Sequence, residues 1–246
     1  MRRFVQVALL VLSGLGLLQT SLFTEEYLRY VKAGMRPLLV ASGVLLVVLG
    51  VLEAWASWRG EREHGEEGGH GHDHSGVPRV AWLLFLPVLS LLFYAPPALG
   101  SYTASREPAK VVATVDDDGF DPLPKTSPLP ITLTDFTIRV QQDRSLAIKG
   151  RAVRMTGFAS PASSAGGGGW YLTRIVVSCC AADAATLKVR VYGIAMPKAD
   201  TWVTVTGVWH AGGKLGTSSG AVALDARGLE QIRKPSNSYM DAVPLG

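Results

Sequence analysis

The sequence is poor in cysteine, with two in 246 residues, and they are neighbours, Cys179 and Cys180. A secreted scaffold held by several bridges is therefore excluded, leaving one redox pair or one pair of metal thiolates. Net charge is also scarce: 24 Lys and Arg against 20 Asp and Glu give +4. That is too little and too dispersed for a polyanion-binding face, so nucleic acid is not an expected partner. No Ser-His-Asp set, phosphate-cradling glycine loop or paired-carboxylate arrangement stands out, and the chain reads as a non-enzyme. Acids and bases are missing from the middle of its apolar runs, which removes the proton relay or ion ligands of a self-sufficient transporter.

What is abundant is apolar sequence, nearly all of it before Leu99. Three runs have the length to cross a bilayer, which takes about 20 residues of helix. They cover residues 4–23, 37–58 and 80–99, the second ending near Trp55 and Trp58 and the third carrying Pro87 and closing on Pro96-Pro97. The first is long for a signal-peptide core and no A-x-A site follows it, so it reads as an uncleaved anchor. Gly16 and Thr20, and Gly50 and Ala54, are small residues four apart, the spacing that lets helices approach closely.

Three crossings put the two termini on opposite sides. Arg2, Arg3, Arg59, Arg62 and Arg79 would lie on one side, and Arg29, Lys32, Arg36, Arg106 and Lys110 on the other, which is an even split. The short basic flank of the first run then decides, placing the amino terminus and the second loop inside and the carboxy-terminal domain outside.

That second loop, 60–79, contains EREHGEEGGHGHDHSG, with His64, His70, His72 and His74 crowded among Glu66, Glu67 and Asp73. Four of the chain's five histidines fall there. Neutral imidazoles in a mobile H-x-H-x-H strand can share one zinc, nickel or copper ion; the plainer alternative is a solvated spacer. Residues 100–130 turn to Ser, Thr, Pro and Asp and read as an extended linker.

After Pro130 the period becomes two. TDFTIRVQQ from Thr134, LAIKGRAVRM from Leu146, YLTRIVVSCC from Tyr171, TLKVRVYGI from Thr186, WVTVTGVWH from Trp202 and GAVALDARGL from Gly220 read as short strands. Glycines inside IKGRAVR and VTVTGVW suit the bends or bulges of a closed barrel. The fold class is therefore α+β: three transmembrane helices, then a small, mostly antiparallel OB-like barrel over 131–246.

Neighbouring side chains on a strand point to opposite faces, so the sulfurs of Cys179 and Cys180 can meet only where the strand breaks. Ala181-Ala182-Asp183-Ala184 follows and is compatible with such a break. Three readings stay open: a strained vicinal disulfide, a dithiolate metal site with Asp183 nearby and His210 joining only if strand ends converge, and one buried thiol beside a bystander. A redox role would need a lowered thiol pKa, with Arg174 a candidate cation to lower it.

RIVVSCCAADA, with IKGRAVRMTGF before it and DTWVTVTGVW after it, resembles the YcgQ-like family of bacterial membrane proteins. Asp135-Phe136 and the closing IRKPSNSYM are similar to family elements as well. The resemblance runs over essentially the whole length and is specific at Cys179, Cys180, Ala182, Asp183 and Ala184. It departs in the short, cysteine-free His loop and in the Gly-Ser insert at 160–169. The resemblance implies a multi-pass protein of the bacterial cell membrane acting as a permease subunit beside a separate multi-pass permease. With it comes the expectation of zinc or another transition metal at Cys179, Cys180, Asp183 and the loop histidines. A thiol redox protein or sensor is the alternative.

Overall fold

The structure, a computed structural model, describes residues 2–63, 99–109, 120–162 and 168–244. The third expected span and the histidines of the second loop lie outside the described residues. The chain divides into two compact units, residues 1–24 with 37–98, and residues 25–36 with 99–246.

In the first unit, α1 (Arg2–Leu22) and α2 (Arg36–Glu63) are the helices the apolar runs call for. Both are long and apolar enough to cross a membrane, and only 11% of each apolar window is buried, unlike the core helix of a soluble fold. Leu12, Leu15, Leu45, Val48, Leu49 and Leu52 all face outward. The two helices touch at glycines: a side chain at Gly14 would press on Val47 and the Gly43 carbonyl, and one at Gly50 on Val11. Gly50 therefore has the expected packing role. Gly16 does not, because its Cβ position meets nothing within 4 Å.

The second unit is built on six strands: β1 (Leu129–Pro130), β2 (Ala152–Ser160), β3 (Trp170–Val176), β4 (Ala185–Tyr192), β5 (Trp202–Trp209) and β6 (Ala223–Gln231). Their order is β1-β2-β3-β4-β6-β5, and β5 returns to pair with β2, so the last five strands close a barrel. Four of its pairings are antiparallel and β4–β6 is parallel. The expected mostly antiparallel barrel is present.

One expected strand is a helix. Residues 134–142 belong to α4 (Leu133–Gln142), which follows a short α3 (Ser101–Arg106). Leu133, Phe136 and Val140 recur at helical spacing, and all three are buried with Met155, Leu172, Val189 and Val205 of the barrel. The Thr132 hydroxyl accepts the Asp135 N–H, and the Asp241 carboxylate accepts those of Leu133 and Thr134, so the first turn is fully capped. The segment expected as extended linker contributes structure too. Ala104 of α3 is buried with Phe158 and Trp202, and Leu129 lies in the main core.

The two expected mid-strand glycines part ways. Gly150 precedes β2, in a turn with φ of 71°. Gly207 lies in β5 at the register shift with β6 and is the anticipated bulge. A Cβ there would drive into the Asp225 carbonyl, whereas one at Gly228 would meet only Thr206, at 4.0 Å. Gly207→Ala is therefore expected to destabilise the domain by about 1–3 kcal/mol and Gly228→Ala by well under 1, read as thermal midpoints in one detergent.

Candidate functional site

The connection from β3 to β4 carries both thiols. The β3 ladder ends at Val176, and the Val177 N–H turns away to the Tyr239 carbonyl at 3.2 Å. Cys180 is extended, with φ of −152°, and a single 3-10 turn, Ala181–Asp183, leads into β4. The strand thus breaks just before the pair, which removes the alternation that would hold the sulfurs apart. The two Sγ atoms are 3.7 Å apart, in thiol–thiol hydrogen-bond contact and not joined as a disulfide, Cys179 exposed and Cys180 half-buried. Of the three readings of the pair, the structure has neither the vicinal disulfide nor a thiol buried in the core.

Asp183 organises this turn. Its carboxylate accepts the Ser178 N–H at 2.8 Å and the Cys179 N–H at 2.7 Å. The Cys179 thiol also donates to it, and that bond, followed by the contact with Cys180, pushes the thiol pKa up to about 11. The same thiol bond, then the Ser178 N–H, holds Asp183 below the usual carboxylate range. These directions agree, because a thiolate beside a carboxylate is disfavoured while a shared proton stabilises the anion. The lowered thiol pKa that a redox role requires is absent at Cys179.

Arg174 does not serve the thiols. It is 2% exposed, donates to the Thr156 and Met240 carbonyls at 2.8 Å each, and stacks 4.9 Å from the Trp202 ring. Burial lowers its pKa, and Asp241 opposes that. His210 is likewise engaged elsewhere: its Nδ1 is 2.7 Å from Asp225 and its ring lies on Tyr192. Among the described residues no three His, Cys, Asp or Glu side chains are grouped as a metal centre. The structure pairs the thiols of Cys179 and Cys180 and ties Asp183 to Cys179, without assembling the three as a metal centre, and it leaves His210 apart. His64, His70, His72 and His74 lie outside the described residues.

A further element of the site carries no sequence signal. The connector between α1 and α2, residues 25–36, packs in the same unit as the barrel. Its Val31 forms an antiparallel bridge with Cys180. On either side, the Lys32 N–H donates to the Cys179 carbonyl at 3.0 Å, and the Ala181 N–H donates to the Tyr30 carbonyl at 2.7 Å. The backbone of the thiol turn is thus joined to the loop between the two apolar helices.

Two helices apolar enough to span a bilayer, followed by a closed five-strand barrel with a vicinal-thiol turn, define the class of protein. The chain carries both domains of the DUF1980 family in order, the N-terminal domain over residues 7–109 and the C-terminal domain over 138–240, which fits the YcgQ-like family. No curated protein and no solved structure matches the chain.

Proposed function

We propose that this chain is a membrane-anchored accessory subunit of a permease system and that its thiol turn receives a transition-metal ion, zinc or one like it. The observation that carries this reading is the incompleteness of the site: two free thiols 3.7 Å apart, Cys179 exposed and Cys180 half-buried, with Asp183 already committed to two N–H groups. Tetrahedral zinc with Zn–S bonds of about 2.3 Å separates two thiolates by about 3.8 Å, so the pair fits one ion. Structural zinc sites close four protein ligands around the metal. A thiol pair with one member exposed suits an ion passed to or from donors on a partner. A bound ion would also displace the Cys179 proton, so uptake would rise with pH.

The join between the thiol turn and the helix connector supports the anchoring half of the proposal. In this reading the loop between the first two spans and the barrel to which it is hydrogen-bonded share one side of the bilayer. The same reading takes in the third crossing that the sequence places at 80–99, which lies outside the described residues. On the basic-flank argument that shared side is the outer one, and the loop histidines lie inside. The barrel's strand order, first-second-third-fifth-fourth with the third and fifth parallel, supports an OB-like reading. The same 3.7 Å separation favours one second reading, a thiol redox protein or sensor, and the raised Cys179 pKa weighs against it.

Purification of the full chain from its membranes without a histidine tag, followed by metal analysis and identification of co-purifying proteins, tests both halves. The expected result is retained zinc, copper or nickel together with a multi-pass membrane protein, with the metal reduced in the Cys179→Ser, Cys180→Ser double variant. Metal content that is nil, or unchanged by that variant and by replacement of the loop histidines, overturns the metal assignment. Reversible loss of two hydrogens from the wild-type turn would put the redox reading in its place.

A further inference from the structure

Away from the thiols, the barrel unit has a cleft of about 620 Å3. Arg144, Leu146 and Lys149, from the turn between α4 and β2, form one wall. Trp209, Lys214 and Thr217, at and beyond the end of β5, form the other. The volume lies in the range of small-molecule sites, about 300–1,000 Å3. Three cations line the cleft and no carboxylate does. None of the three is in an ion pair among the described residues. The nearest acids in sequence are engaged elsewhere: Asp143 accepts from Arg139 at 3.2 Å and from the Ser145 N–H at 2.9 Å, and Asp225 faces His210 at 2.7 Å.

We propose that this cleft binds a soluble organic anion carrying an apolar body. The apolar part of the recognition comes from Leu146 and the Trp209 indole, whose one polar atom donates to the Ala221 carbonyl at 2.9 Å and leaves the ring to a ligand. The rim is fixed by backbone. Leu146 sits at φ of 56°, and Gly216, at φ of 78°, donates its N–H to the Val140 carbonyl at 2.8 Å. A Cβ on Gly216 would lie 2.7 Å from the Asp143 carbonyl, so the two walls meet too closely there for any side chain. Three like charges around one apolar hollow repel one another unless an anion joins them, and a preformed rim spares the ligand an ordering cost. The cleft shares no residue with the thiol turn, and the proposal stands independently of the metal assignment.

The test uses the full chain in nanodiscs of zwitterionic lipid, titrated calorimetrically with naphthalene-2-sulfonate and, separately, with the neutral naphthalene-2-methanol, against empty discs. The expected result is saturable one-to-one binding of the sulfonate, weakened at least tenfold in the Lys149→Ala, Lys214→Ala double variant and restored in the Lys149→Arg, Lys214→Arg pair. The neutral compound should bind at least tenfold more weakly. These are exposed positions, so the fold should survive, and matched thermal midpoints check it. Sulfonate binding that is absent, that survives loss of both lysines, or that the neutral compound equals would overturn the proposal.

Discussion

Asp183→Asn should raise the alkylation rate of Cys179 at pH 8 by up to about tenfold. In the native turn the carboxylate accepts the thiol proton and holds the pKa at about 11, leaving on the order of one thiol in a thousand ionised at that pH. A neutral amide removes the largest cause of the rise and lets the value fall toward the ordinary 8.5–9, which raises the thiolate fraction by up to about a hundredfold. The less basic thiolate is also the weaker nucleophile: with a Brønsted slope of about 0.4–0.5, two units of pKa return nearly tenfold of that gain. The net effect is up to about tenfold, with the midpoint of the rate-pH curve moved down. The measurement is iodoacetamide labelling with both thiols in place, the label on Cys179 being quantified by peptide mass. An unchanged curve would mean that the carboxylate does not hold the proton. The same variant probes metal capture from the other direction, since a thiol that ionises more readily gives up less to bind an ion, and zinc affinity should rise at pH 7.

The condition for the sulfurs to converge was legible because it follows from one rule of strand geometry; that the strand does stop before them was left open by the sequence. Five of the barrel strands were legible for a similar reason: their period of two is imposed by an interior that takes alternate side chains, as β4 and β5 do. The α4 segment was misread because Thr134, Thr137, Ile138 and Val140 are β-branched and carry strand character in isolation. The opposing signals were there, in Thr132 and Asp135 three apart at a helix start and in apolar residues at 133, 136 and 140. Tertiary packing decided between them. The bond between Val31 and Cys180 left no trace, because pairing between segments so distant in sequence follows from the closed topology and not from any local pattern. Arg174 misled for a related reason. Its nearness to the cysteines in sequence placed it beside them, but its side chain points into the unit, where burial and two carbonyls define its role.

Phe136→Ala should cost about 3–5 kcal/mol. Phe136 is fully buried and lies in one cluster with Val153, Leu172, Val189, Val203 and Leu224, so it joins α4 to strands from around the barrel. A ten-residue helix is marginal by itself in water, and α4 persists through its caps and this packed face. Losing the ring should therefore melt the helix along with the packing. Against a typical domain stability of about 5–15 kcal/mol, that removes a large share of the margin. Phe136→Leu, which keeps most of the volume, should cost about 1–2 kcal/mol and keep the helix. Urea titration of the full chain in micelles, followed by Trp fluorescence, gives the free energies, and far-ultraviolet circular dichroism gives the helix content. A cost below about 1 kcal/mol for the alanine variant would mean that α4 rests loosely on the barrel. The Asp241 bonds to its first turn would then be the main hold on it, and Asp241→Ala would be the more damaging change of the two.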